Sequence, residues 1–269
     1  MSQTDQKIKF SVITVCYNSE KTIQKTLQSI KDQTYKNIEY IIIDGGSTDK
    51  TLDIINNYKD IVDILISEPD NGIYDAMNKG IKLATGDYIG FLNSDDYYTK
   101  DIFELYASTL KNKNNISYIY ANVFVVGDNY IRPDFAISRI VNKVYQNMPL
   151  CHQSLYVDKT IAKQLTFDTN YKVVADLDFL NRLIKFNNNY IYINKEVCYF
   201  LAGGISSASV MAEFENRRVA LNNGKNYILT NMHFIYKLLR IYLYLLAGNT
   251  KIYSHIKKYF LKIKYKSEV

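Results

Sequence analysis

With 269 residues, 47% hydrophobic and 22% charged, the chain has material for one sizeable α/β core and an appended piece. Three Pro and eleven Gly exclude a linker-rich or collagenous protein. Three Cys (Cys16, Cys151, Cys198), without CxxC spacing, exclude a disulfide framework and give no support to a zinc ribbon or thioredoxin-type site, so they read as small buried fillers in a reduced, cytoplasmic setting. Charge is uneven. Residues 1–216 hold 22 Lys+Arg against 26 Asp+Glu, and residues 217–269 hold 11 against 1, so a mildly acidic body carries a strongly basic tail. Met1–Lys9 is polar, with no apolar run of the kind a secretory signal uses.

In chain order, Phe10–Tyr17 is β-rich and almost unbroken in apolarity, as a buried parallel strand requires. Asn18 or Ser19 is placed to cap a helix whose inner face is Ile23, Leu27 and Ile30. Ile38–Ile43 reads as a second strand, ended by Asp44-Gly45-Gly46. Ser47 is placed to cap a helix with Leu52, Ile55 and Tyr58 inward. Ile61–Ile66 is a third strand. The next helix carries Ile73, Met77, Ile81 and Ala84, with Gly86 at its C′ position. Asp87–Leu92 is a fourth strand. Strands alternating with helices predict a parallel sheet with right-handed crossovers.

Further on, Ile116–Val126 reads as a strand, Gly127-Asp128-Asn129 as a turn and Tyr130–Arg132 as a return strand. Ser154–Val157 and Tyr190–Ile193 are further strands, Val174–Phe186 is a helix, and from Ser207 the pattern is helical. Tyr227–Leu246 is apolar for long stretches, but His233, Lys237 and Arg240 interrupt it, which argues against a spanning helix. Ile252, Ile256, Tyr259, Phe260 and Ile263 share one face of a final helix, with lysines away from it. That segment fits an interfacial basic helix or a surface helix with a solvated lysine face.

Chemistry concentrates at strand ends. Asp44 ends the second strand, and Asp95 and Asp96 follow the fourth. Ligands of open parallel sheets bind there. Clustered carboxylates repel, and a hard divalent cation relieves that repulsion, which points toward a diphosphate substrate. An acidic pair beginning a helix is the plainer alternative.

Five segments then occur in order: Ser11–Asn18, Ile43–Asp49, Glu68–Gly80, Gly86–Ile89 and Leu92-Asn93-Ser94-Asp95-Asp96. The series resembles family 2 of the inverting glycosyltransferases, with the GT-A nucleotide-diphospho-sugar fold, over roughly residues 10–205. The resemblance implies that Thr14, Tyr17 and Asn18 receive the nucleotide base and ribose and that Asp44 bonds the uracil ring. Asn93-Ser94-Asp95 stands at the family's Asp-x-Asp position, so Asp95 would coordinate Mn²⁺ or Mg²⁺ on the donor diphosphate. Asn93 departs from the family pattern: an amide there can bond a ribose hydroxyl but brings no charge to a metal. Lys79 is a further donor-side candidate, or a solvated helix lysine.

The resemblance also implies a carboxylate base for the acceptor hydroxyl. Asp176, in Ala175–Arg182, falls at the base position, with Asp178 as second choice. Pro149–Ser154 resembles a segment of bacterial polysaccharide members beside the acceptor site, so His152 would contact the leaving diphosphate or the acceptor, with Gln153 and Asp96 also on the acceptor side. The Gly-rich stretch Gly203-Gly204-Ile205-Ser206-Ser207 reads as an acceptor-side loop whose backbone N–H groups close over phosphate, or as a simple turn.

The expected architecture is an α/β GT-A-type domain over residues 1–206, with a mostly parallel central sheet, and a basic helical extension over 207–269. The expected activity is inverting, metal-dependent hexosyl transfer from a UDP-sugar to a lipid-linked sugar in O-antigen or capsule synthesis, giving a β-glycoside. Glucosyl or galactosyl transfer is the expectation for the hexose, and undecaprenyl-diphosphate-linked GlcNAc or GalNAc for the acceptor. The basic tail would meet an anionic membrane at the inner face of the cell membrane; a homo-oligomer is left open. Processive synthases of the family resemble one another in a Gln-x-x-Arg-Trp motif, and this chain has no Trp. A Rossmann dehydrogenase lacks its GxGxxG here. A nucleotidyltransferase, or a nucleic-acid-binding protein using the tail, remains as rival; the tail rival leaves the strand-end acids unexplained.

Overall fold

The computed structural model describes residues 7–136, 148–203 and 210–247. Predicted features at Gly204–Ser207 and in the final helix beyond residue 247 lie outside the described residues. The chain divides into two compact units, Met1–Ser207 and Ala208–Val269.

The first unit opens as its apolar pattern dictates. Strands β1 (Phe10–Cys16), β2 (Ile38–Asp44), β3 (Ile64–Ser67) and β4 (Tyr88–Phe91) are all mutually parallel, in the order β3-β2-β1-β4. Helices α1 (Ile23–Lys31), α2 (Thr51–Asn56) and α3 (Ile73–Leu83) connect them. Beyond β4 the sheet becomes mixed. The short β5 (Tyr97–Tyr98) is followed by α4 (Ile102–Leu110), the β6 (Tyr118–Gly127) to β7 (Tyr130–Asp134) hairpin, and β8 (Tyr156–Asp158). Then come α5 (Lys159–Leu165), α6 (Ala175–Phe186) and β9 (Tyr190–Leu201). Among the described residues the sheet has nine strands in the order β3-β2-β1-β4-β8-β6-β9-β5, with β7 on β6. It is mixed rather than mostly parallel: β8 runs antiparallel to β4 and β6, while β6 and β9 are parallel.

The helices form for the expected reason, apolar residues on one face, but their starts differ from the predicted caps. Thr22, not Asn18 or Ser19, precedes α1, and Lys50 precedes α2. The small polar residues are used between loops instead: Asn18 Oδ1 accepts from Thr48 N, and the Ser47 hydroxyl bonds Asp44. On α3 the buried face is Tyr74, Met77 and Ile81, and Ile73 is exposed. Gly86 serves close approach rather than a C′ turn, since a Cβ there would lie 2.6 Å from Ser11 N.

An aromatic core joins the two halves. Tyr156 meets Phe10, Phe103 and Tyr106 edge-on, at 5.6–5.7 Å between ring centroids. Its ring lies over Gly90, where a Cβ would come within 2.5 Å of Cζ. Two buried tyrosine hydroxyls find partners in one turn, as burial favours: Tyr98 Oη donates toward Gln153 O (3.0 Å) and Tyr106 Oη to Ser154 O (2.7 Å). These two tyrosines therefore fix the 3₁₀ turn His152–Ser154 from below.

The second unit contains α7 (Val210–Asn222) and α8 (Tyr227–Ala247), which pack on each other. Asn226 Oδ1 accepts from Leu229 N and caps α8. Phe214 meets Phe234 at 4.9 Å, and Lys237 pairs with Glu213 at 3.1 Å. No helix among the described residues is long and apolar enough to cross a membrane.

Candidate active site

The carboxyl ends of β1, β2 and β4 bring Tyr17, Asn18, Asp44 and the Asn93–Asp96 loop to one edge of the sheet. Tyr17 is 63% exposed, and Asn18 beside it adopts a left-handed φ of 49°. Asn18 N donates to Ser47 Oγ (2.8 Å), so this strained residue locks two strand-end loops together. Thr14, one of the nucleotide-side candidates, is fully buried, and its hydroxyl accepts from Tyr40 Oη (3.0 Å). It supports the strand from inside and presents nothing to the crevice.

Asp44 is buried and saturated with donors: Gly46 N (3.1 Å), Ser47 N (2.9 Å), Ser67 Oγ (2.7 Å) and the Ser47 hydroxyl. Burial alone would push its carboxyl up, but these hydrogen bonds outweigh it and hold it below the usual range. Ser67 was legible in principle, because it is Asp44's register partner on β3. Lys79 is engaged by Glu68 (2.7 Å), Asp75 (3.8 Å) and Pro69 O (3.3 Å).

The loop after β4 contains two acids in different states. No other described residue hydrogen-bonds or pairs with the Asp95 carboxylate, and burial raises its pKa. Asp96 is pushed up to about 7, first by burial and then by Asp95 beside it. It knits the site together, accepting from Gln153 Nε2 (2.5 Å) and Leu201 N (2.8 Å). The His152 imidazole works against the rise at both acids. Ser94 Oγ lies 2.8 Å from Ser19 Oγ. Asn93 Nδ2 stands 3.5 Å from His152 Nε2, and Asn93 Oδ1 is buried with no partner among the described residues.

Asp176, in the first turn of α6, faces this loop. His152 Nδ1 lies 3.2 Å from its Oδ2, and Leu177 N donates to its Oδ1 (2.9 Å). Tyr74 Oη stands 3.3 Å from the same Oδ1 while donating to Val173 O (2.8 Å). With Nδ1 carrying the proton toward Asp176, His152 Nε2 is left to face Asn93. The His152–Asp176 pair forms the polar rim of an otherwise apolar cavity of about 20 Å³, lined by Phe91, Met148, Phe167 and Phe179 among others. Asp178 is spent elsewhere, since Arg182 Nε donates to it at 2.7 Å. Of the predicted α3 face, Met77, Ile81 and Ala84 are buried, but its first turn points Tyr74 inward in place of the exposed Ile73. Gly203 has a φ of 105° with open space around it; Gly204 lies outside the described residues.

Chemically, the arrangement offers a shallow exposed aromatic, an unpaired carboxylate beside a buried orphan amide oxygen, and a second carboxylate oriented by a histidine. Comparison with known proteins bears on the family and the fold. A curated relative of Mycobacterium bovis, named as a PGL/p-HBAD biosynthesis glycosyltransferase, is 32% identical over 218 residues, covering 77% of this chain and 83% of the relative. A protein of Escherichia coli, named as the UDP-Glc:alpha-D-GlcNAc-diphosphoundecaprenol beta-1,3-glucosyltransferase WfaP, is 34% identical, covering 58% and 63%. The crystal structure of S. aureus TarS 1-349 with UDP-GlcNAc superposes with a TM-score of 0.66 at 20% identity, covering 86% and 72%. The Pyrobaculum calidifontis mannosyltransferase PcManGT, solved with GDP-Man and Mn²⁺, superposes at 0.62 and 16% identity, covering 98% and 82%. The two structures share the GT-A-type fold. The sequence profile described as Glycosyl transferase family 2 matches residues 11–168, and the chain therefore belongs to glycosyltransferase family 2.

Proposed function

We propose that the chain transfers a hexose from a UDP-sugar to a hydroxyl of an undecaprenyl-diphosphate-linked GlcNAc or GalNAc, with inversion to a β-glycoside, in O-antigen or capsule synthesis. The observation that carries the chemistry is Asp176. Its Oδ2 is held by His152 and its Oδ1 by Leu177 N, at the edge where Asp95 also stands. An acceptor hydroxyl meeting Asp176 loses its proton to the carboxylate as its oxygen attacks the anomeric carbon, and UDP departs from the opposite face. The name of the E. coli relative, a UDP-Glc:alpha-D-GlcNAc-diphosphoundecaprenol glucosyltransferase, supports the donor and the acceptor.

Tyr17 offers its ring to the base, Asn18 and Asp44 shape the loop that receives base and ribose, and Ser94 lines the diphosphate side. The residues fit a hard divalent cation that takes most of its oxygens from the donor. Asp95 is unpaired, Asn93 Oδ1 lacks a donor, and no cluster of three acidic, His or Cys side chains gathers among the described residues. When bound, Mn²⁺ or Mg²⁺ offsets charge on the departing diphosphate. Gln153 and Asp96 hold the turn that carries His152. The body (residues 1–206) does this chemistry, and the basic extension (207–269) keeps it at the inner face of the cell membrane, where a lipid-linked acceptor sits.

A panel of UDP-sugars against a synthetic lipid-diphosphate GlcNAc, read by mass spectrometry with and without EDTA, tests the proposal. One hexose added only with a divalent cation is the expected result. No transfer from any UDP-sugar overturns it.

A further inference from the structure

The packed face of α8 is accounted for: Phe234 meets Phe214, Lys237 pairs with Glu213, and Asn231 Oδ1 accepts from Arg217. The other face is exposed. Ile228, Met232, Ile235, Leu239 and Tyr242 recur at i, i+4, i+7, i+11 and i+14, and Leu229 and Tyr236 widen the stripe to an arc of about 140° at 100° per residue. All seven are between 42% and 67% exposed. An apolar arc of this width on a helix marks an interaction surface.

We propose that this arc is a lipid-facing surface, with α8 lying in the plane of an anionic bilayer and its apolar side chains at the headgroup–acyl boundary. Charge selects this occupant over a second copy of the chain. Residues 217–266 contain 11 Lys+Arg and no Asp or Glu. Two such segments repel each other, whereas an anionic surface attracts them. The helix positions bordering the arc are Asn231 and Leu238 on one side and Arg240 and His233 on the other, none of them acidic, so a helix pair would find none of the opposite charges that set register and partner. Tyrosines on the arc suit the boundary, where an apolar ring and a wet hydroxyl are both accommodated. Lys237 and Arg240 keep the helix from burying itself across the bilayer. This deepens the proposed function by naming the surface that reaches a lipid-linked acceptor. It rests on that reading for its purpose, not for its physical argument.

The chain has no tryptophan, so a single one reports its own position. In full-length protein, Tyr236→Trp is compared with Phe186→Trp, an exposed site at the end of α6. The probe is a vesicle of phosphatidylethanolamine and phosphatidylglycerol. A blue shift and quenching by brominated lipid at position 236, but not at 186, is the expected result. In flotation, the double variant Ile235→Glu with Leu239→Glu partitions at least about tenfold less, most visibly at high salt where the lysines are screened. Far-UV circular dichroism and thermal unfolding establish that the variant is folded.

Unchanged emission at position 236 overturns the proposal. So does wild-type flotation of the folded double variant, which would assign binding to the basic tail alone. Sedimentation as a dimer that the double variant splits would give the arc to a second copy and overturn it too. Vesicle binding with no transfer from any UDP-sugar sinks the proposed function and leaves this inference standing.

Discussion

Two kinds of buried acid stand at opposite ends of the same parallel strands. At the amino end, Glu39 is 5% exposed and every side of its carboxylate is served: Lys9 Nζ (2.9 Å), Ser11 Oγ (2.5 Å), Thr85 N (2.7 Å) and the Thr85 hydroxyl. Burial pushes its pKa up, yet the donors carry it down to about 2. At the carboxyl end, Asp95 has no such partner and is raised, while Asp96 has two donors and still reaches about 7. The sequence makes all three look alike. An acid whose lone pairs are filled from within belongs to the framework, whereas one left under-filled keeps its capacity for an outside partner. By that measure Asp44, saturated by Ser47 and Ser67, is framework first, even though it stands at the working edge.

The sharpest break of this contrast is at Asp176. Asp176→Asn should slow transfer by about 10²–10⁴ and leave UDP binding by calorimetry near wild type. Weak UDP binding with a normal saturated rate would mean that Asp176 is a donor contact instead. Next comes Asp95→Asn, expected to lower turnover on the order of 10²-fold and to abolish the metal dependence of UDP binding. Full turnover after verified metal removal would sink that assignment.

His152 gives a smaller and more discriminating effect. Asn keeps a donor where Nδ1 now stands, and Ala does not. His152→Ala should lose about tenfold in kcat, and His152→Asn should regain most of it with the donor KM unchanged. Equal losses in both would show that the turn, not the hydrogen bond to Asp176, is what matters.

Glu39→Gln should leave turnover alone and cost about 2 kcal/mol of stability at neutral pH. Since Glu39 lies below its usual range of 4.5 when folded, its stabilisation is complete above that value and is lost as pH falls toward 2. The variant's deficit in thermal unfolding should therefore shrink in acid. Asp96 has the opposite sign. Between its usual 3.8 and about 7 the folded state binds more protons, so stability declines as pH rises through that window. That decline should persist in Glu39→Gln.

Much of this was legible in the sequence. The parallel half was readable because β1 and β2 are unbroken apolar runs between small polar turns, and α1 shows its buried face in Ile23, Leu27 and Ile30. The mixed half was less so. α5 has only seven residues, and β5 spans two residues whose strand identity comes only from pairing with Tyr199 and Cys198. Strand β9 was seen only at its start, because its later residues alternate weakly and are held by β6. At the site, residue types were readable but occupancy was not. Nothing in the local pattern separates Asp176, turned to His152, from Asp178, turned to Arg182, since the difference lies in what another segment places opposite each.

The contact of Tyr156 with Gly90 has a consequence for how such a protein can change. The ring occupies the space that any side chain at position 90 would need, and it does so at the junction of β4 with β8. The half that carries Asp95 and the half that carries His152 and Asp176 are thus keyed to each other by one missing Cβ. A chimera that imports residues 148–203 from a relative inherits this lock along with the new side chains. It will pack only if the residue opposite its ring at position 90 is equally small, so exchange of one half is conditional on the other.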